Sequence, residues 1–161
     1  RGPYGIARSR PQYNFDDPKI LFTQMFEVPR FAIDYNGYVV NFNCHVIFSK
    51  NNSKYSIEFL LGLLNSNFAK NWFKKRAKKR GIESDVTLTK LRTFPIPEKP
   101  SKKIEEIVHI LQKENKGNLV DLEKELDAYV YKTYEIDFDE ILDFDKSFQM
   151  SKKEYENLKL N

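Results

Sequence analysis

Residues 56–81 read SIEFLLGLLNSNFAKNWFKKRAKKRG. Ile57, Leu60, Leu61, Leu64, Phe68 and Trp72 recur at spacings of three and four, the apolar stripe of a helix that faces a core. The last third carries Lys74, Lys75, Arg76, Lys78, Lys79 and Arg80, six cations within seven positions. The reading predicts one long amphipathic helix over 56–80, capped at its start by Ser56 and stopped by Gly81. One end is suited to burial and the other to a negative partner. A solvated helix end whose cations match the helix dipole is the plain alternative.

On the N-terminal side, residues 19–26 (KILFTQMF) form a short apolar run between Pro18 and Pro29, which predicts a buried strand. Residues 30–34 and 38–48 read as two more strands joined at Asn36-Gly37, a pair that tolerates the positive φ of a tight hairpin. In the second of these, Phe42, Cys44, Val46 and Phe48 alternate with Asn41, Asn43, His45 and Ile47 on the other face. Residues 1–18, rich in Arg, Gly, Pro and Tyr, read as an irregular arm.

Toward the C-terminus, residues 85–94 (DVTLTKLRTF) are expected to return to the sheet with Val86, Leu88 and Leu91 inward. Pro95 and Pro97 forbid a helix there. From Pro100 the pattern is helical. Ile104, Ile107, Val108 and Leu111 make one stripe, and Leu119, Leu122, Leu126, Tyr129 and Val130 a second. Asp137 with Glu140 has the spacing of a capping box that opens a third helix, and residues 151–160 can form a fourth. The expected fold class is α+β: a small twisted, mostly antiparallel sheet from residues 19–48 and 85–97, packed on the long helix and followed by a helical C-terminal appendage. The expected division is a domain over 1–100, with 1–18 as its arm, and a helical tail over 101–161.

Charge is unevenly spread. Residues 1–69 carry a net +2, residues 70–103 a net +9 and residues 104–161 a net −7. Such blocks imply two surfaces with different partners. No stretch is long and apolar enough for a membrane span, and the lone Cys44 suits a reducing compartment, so a cytoplasmic location and no membrane partner are expected. The start RGPYG lacks an initiator Met, and the chain is expected to be a fragment of a longer protein. Cys44, His45 and His109 have no metal-ligand spacing, and the scattered glycines form no phosphate loop. No Ser stands near a base and an orienting acid in any nucleophile pattern. Neither a catalytic nor a metal site is expected.

Four short pieces in order carry a family resemblance: Pro18-Lys19-Ile20, Leu63-Leu64-Asn65-Ser66, Pro95-Ile96-Pro97, and Leu126-Asp127 through Val130-Tyr131. Over roughly residues 15 to 142 the chain resembles the TaqI-like C-terminal specificity domain. That is the target-recognition module of adenine-specific DNA methyltransferases and of the fused type IIG restriction–modification enzymes. The resemblance implies a non-enzymatic module that reads a short double-stranded DNA sequence. A catalytic methyltransferase or nuclease domain of the parent protein would then act on it. No cofactor is expected in this chain; S-adenosylmethionine, with Mg as a further candidate, would belong to the parent.

In that setting Lys74, Lys75, Arg76, Lys78, Lys79 and Arg80 are the expected phosphate contacts. Six such contacts correspond to a salt slope of about −5. Base reading calls for Arg opposite guanine and Asn or Gln opposite adenine, which nominates Arg8, Arg10, Gln12, Gln24, Arg30, Asn41 and Asn43. Asn65 and Ser66 are expected to bond to neighbouring backbone rather than to DNA. Tyr129, Tyr131 and Tyr134 are expected to pack the tail against the domain with hydroxyls outward. Two other readings compete: a protein-interaction module that docks a partner subunit through the acidic tail, and a single-stranded nucleic-acid binder that stacks bases on Tyr and Phe.

Overall fold

The computed structural model describes residues 15–23, 25–26, 30–41, 43–76, 78–80, 83–85, 87–113 and 119–160, with 25–26, 78–80 and 83–85 as backbone. Among these, the strands are β1 (Lys19–Thr23), β2 (Met25–Phe26), β3 (Ala32–Asp34), β4 (Cys44–Phe48), β5 (Lys78–Arg80) and β6 (Glu83–Asp85). The helices are α1 (Ile57–Asn65), α2 (Asn67–Arg76), α3 (Leu88–Leu91), α4 (Lys102–Lys113), α5 (Leu119–Thr133), α6 (Phe138–Phe144) and α7 (Lys152–Asn157). The architecture is α+β, as the sequence predicts.

The first sheet has the order β3-β1-β4, antiparallel throughout. In β1 the alternate residues Ile20 and Phe22 are fully buried, and the register sets Ile20 between Ile33 and Ile47. The expected hairpin between the second and third strands does not form, because β3 and β4 each pair with β1 on opposite sides. At the turn the Asp34 carboxylate accepts from the backbone N–H groups of Asn36 (2.8 Å) and Tyr38 (2.9 Å), and the second of these is the donor that a two-residue hairpin would return to the Tyr35 carbonyl. Gly37 still turns the chain with φ +75°. The same carboxylate meets the Lys19 ammonium at 2.5 Å in the interior, and that bond holds the Asp34 carboxyl below the usual carboxylate range. Lys19 also donates to the Phe15 carbonyl at 2.7 Å.

The long helix predicted over 56–80 is three elements. Ser56 caps α1 as expected, its hydroxyl accepting from Phe59 N. The helix then breaks at Ser66, which is extended (φ −65°, ψ 159°). Ser66 Oγ donates to the Leu63 carbonyl at 2.7 Å and accepts from Ala69 N at 3.3 Å, closing one helix and opening the next. After Arg76 the chain enters β5, and a second small sheet forms in the order β2-β6-β5. The predicted strand over 85–97 is also corrected. Among its described residues Asp85 alone belongs to a strand, at the end of β6, and Thr87 Oγ1 caps Lys90 N to start the one-turn α3. Leu88, expected inward, is 42% exposed, while Leu91 packs on the core; Val86 and Gly81 lie outside the described residues. Pro95 and Pro97 do stop regular structure, and Phe94 is buried.

The helical tail joins the same core. Ile104, Ile107, Val108, Leu126, Tyr129 and Val130 cluster with Phe59, Leu63 and Phe73. At Gly62 α1 approaches α4 closely, since a Cβ there would stand 2.5 Å from Ile104 Cγ2 and 3.0 Å from Val108 Cγ2. Tyr134 stacks on Phe68 with ring centroids 4.1 Å apart and donates to the Pro95 carbonyl at 2.7 Å. Tyr131 departs from the outward orientation expected of it: its hydroxyl is buried and donates to Asp145 Oδ2 at 2.6 Å. Burial and that carboxylate raise its pKa far above the ordinary value. Tyr131 belongs to a second apolar cluster with Ala128, Ile141 and Tyr155, closed by α6 and α7. The Asp137–Glu140 capping box opens α6 as predicted, and Ser151 with Glu154 does the same for α7.

Candidate nucleic-acid interface

The sequence of α2, NFAKNWFKKR, divides by face. Ala69 and Phe73 are buried, whereas Lys74, Lys75 and Arg76 stand exposed in its last turn. The spacing of Asn67, Lys70 and Lys74 puts them on one side of the helix. The Arg76 guanidinium lies over Trp72, 4.4 Å from the ring centroid. Trp72 in turn sets its edge against Phe73 and Phe94, at centroid separations of 5.1 and 5.4 Å. A guanidinium held over an aromatic face keeps its charge and remains able to meet an anionic partner.

The six-cation run is therefore split between two backbones. Lys78, Lys79 and Arg80 belong to β5, in register with Asp85, Ser84 and Glu83 of β6. The register positions opposite Lys78 and Arg80 are occupied by Asp85 and Glu83. The end of α2 presents three consecutive exposed cations.

The base-reading candidates fall in three places. Arg8, Arg10, Gln12 and Gln24 lie outside the described residues. Asn41 and Asn43 are exposed in the segment before β4, where Asn43 N donates to Asn41 Oδ1 at 3.0 Å. Arg30 is exposed immediately before Phe31, which is buried. Of the seven, Arg30 alone among the described residues joins residues of α2. It lines a groove of about 960 Å³ together with Asn65, Asn67, Lys70 and Asp127.

Two of these groove residues carry structure that the sequence did not reveal. Asn65 holds Phe31 by both backbone groups: Phe31 N donates to Oδ1 at 3.0 Å, and Nδ2 donates to the Phe31 carbonyl at 2.9 Å. Asn65 and Ser66 do bond to backbone, as expected, but the partner of Asn65 is remote in sequence. Asp127 of α5 accepts from Asn67 N at 2.6 Å, which ties the tail to the first turn of α2. Burial pushes the Asp127 carboxyl up to about 7. The Asn67 bond and Lys70 oppose the rise, and Asp145 and Glu123 add to it. Local pattern does not reveal the partner of Asp127, which is 60 positions away. Asn67 and Lys70 are not among the residues nominated from the sequence; their spacing with Lys74 is the signal that could have found them.

Among the described residues no group of His, Cys, Asp and Glu is arranged to hold a metal ion, and no helix is long and apolar enough to cross a membrane. His109 is exposed on α4, in keeping with a surface role. No curated protein matches the chain. The family model described as the TaqI-like C-terminal specificity domain matches residues 2–96, more than half of the chain, and the protein belongs to that family.

Proposed function

We propose that this chain recognises a short sequence in double-stranded DNA on behalf of a restriction–modification protein. The parent would be an adenine-N6 DNA methyltransferase or a type IIG enzyme, working in the cytoplasm, whose catalytic domain acts on the DNA that this module positions. The observation that carries the reading is the exposed Lys74-Lys75-Arg76 end of α2 in a chain that belongs to a specificity-domain family. Cations at a helix end contact phosphates and supply salt-dependent affinity, while groups beside them reach base edges. Lys78, Lys79 and Arg80 extend the positive run along β5. Recognition is the role assigned to this chain; S-adenosylmethionine, and Mg where the parent also cleaves, belong to the catalytic domain.

Competition binding tests the proposal. One duplex sequence is selected from a random library and measured against scrambled duplex at about physiological salt. Submicromolar binding with a clear excess over the scrambled competitor is the expected result. Equal, weak binding to every duplex would overturn it, and recovery of a tight protein partner instead would favour the acidic tail as a docking element.

A further inference from the structure

We propose that Arg30 is a specificity-determining residue that reads a guanine, and that Asn65 is the residue that positions it. The inference rests on the proposed function and goes beyond it by naming the residue, the base and the support.

Reading a base edge demands more than charge. A phosphate contact tolerates a flexible side chain, but a bidentate contact to guanine O6 and N7 requires that the fork be delivered in a fixed register. The backbone at residue 31 has that fixity. Both of its polar groups are held by the Asn65 amide at 3.0 and 2.9 Å. The Phe31 ring is buried, 5.3 Å from the centroid of Phe22 in β1 and 6.0 Å from that of Phe73 in α2. Arg30 is the next residue, exposed, on the rim of the groove that takes in Asn67 and Lys70. Phe73 directly precedes Lys74 and Lys75. The anchor of Arg30 is thus packed against the helix that carries the phosphate-contacting cations. Docking α2 on the DNA backbone fixes where the Arg30 fork falls. Glu123, Lys124 and Asp127 also line this groove, so it is not uniformly basic. A mixed lining suits selective contact more than nonspecific attraction. Asn65 acts through backbone alone: it closes α1 and substitutes for a β-strand partner at the start of β3.

The test profiles the preference for each base pair at every position of the selected duplex. It compares wild type with Arg30→Lys, Arg30→Ala and Asn65→Asp. The expected result is loss of a guanine preference of roughly tenfold or more at one position, the same position in all three variants. In Arg30→Lys the salt slope stays as in wild type, because the charge is kept and the fork is lost. Asn65→Asp retains the acceptor for Phe31 N and loses the donor to its carbonyl, so its lost preference at that one position separates positioning from general destabilisation. A uniform loss across all positions in Asn65→Asp would overturn the positioning role. Should that variant fail to fold, Asn65→Gln, which keeps the amide and displaces it by one methylene, is read in the same way. Unchanged base preference in Arg30→Lys and Arg30→Ala, with wild-type selectivity intact, would overturn the inference and leave the proposed function standing. A wild-type chain without any sequence preference would overturn both.

Discussion

The side chain of Asn65 and the backbone of Phe31, 34 positions apart, close a two-bond ring in which each residue donates once and accepts once. A carboxamide has the same donor–acceptor geometry as a peptide group, so Asn65 completes the edge of the sheet as an extra strand residue would. This joint connects the last residue of α1 to the residue before β3.

Asn65→Ala removes both bonds and leaves a part-buried N–H and C=O without partners. The expected loss is about 2 kcal/mol, from costs of about 1–3 kcal/mol for an unsatisfied buried group. Urea unfolding followed by circular dichroism measures it, and a change below about 0.5 kcal/mol would contradict the joint.

Gly62 allows α1 to approach α4 closely. Ala at this position gains about 1 kcal/mol in helix propensity, but its methyl would stand 2.5 Å from Ile104 Cγ2, on a β-branched side chain with little room to yield. Overpacking of this kind costs typically about 1–3 kcal/mol. Gly62→Ala is expected to lower the thermal midpoint, and Gly62→Leu to lower it much further; a stabilised Gly62→Ala protein would show that the helices can move apart.

Replacing Lys74, Lys75 and Arg76 together by Ala is expected to weaken binding to all duplexes alike. The slope of log K against log salt should flatten by about 2 to 3 units, from about 0.9 per phosphate contact. An unchanged slope would remove the end of α2 from the interface.

Asp127 makes stability depend on pH. The unfolded carboxyl titrates near 3.8, and burial moves the folded one to about 7. Between these values the folded state binds more protons than the unfolded state. Stability therefore falls as pH rises through the window and levels off above it, by on the order of a few kcal/mol. Asp127→Asn keeps an acceptor for Asn67 N and removes the titration. The variant should match wild type near pH 4 and exceed it at pH 8 in denaturant unfolding. Parallel pH profiles for the two proteins would refute the assignment.

Tyr131→Phe deletes the donor to Asp145 Oδ2 inside the second cluster. Asp145 keeps the Ser147 N–H, 3.0 Å from Oδ1, so the carboxylate is not stripped of partners. The expected cost is about 1–3 kcal/mol in thermal or urea unfolding. Loss of protection in α6 and α7 by hydrogen exchange, ahead of α1 and the first sheet, would localise it.

What the sequence determined by itself is what depends on short-range pattern. The apolar spacing from Ile57 to Trp72 identified a core-facing helical stretch, the Asp137–Glu140 spacing marked the start of α6, and the pieces Pro18-Lys19-Ile20, Leu63-Leu64-Asn65-Ser66 and Pro95-Ile96 fall within the family match over residues 2–96, whereas Leu126 through Tyr131 lies beyond it. Tertiary contacts decided the rest. Asn36-Gly37 has hairpin chemistry, yet the Asp34 carboxylate takes the neighbouring N–H groups and β1 inserts between the two strands. The helical stretch has the periodicity of one rod, yet Ser66, with Asp127 reaching in from α5, divides it. The cationic run reads as one surface, yet its second half enters a ribbon opposite Glu83 and Asp85. In the first two cases a strand brought in from elsewhere, or a polar group distant along the chain, satisfied backbone donors and acceptors that local pattern had assigned to their neighbours, and in the third a strand two residues further on did so. The pairing of these groups is settled only when the chain is folded.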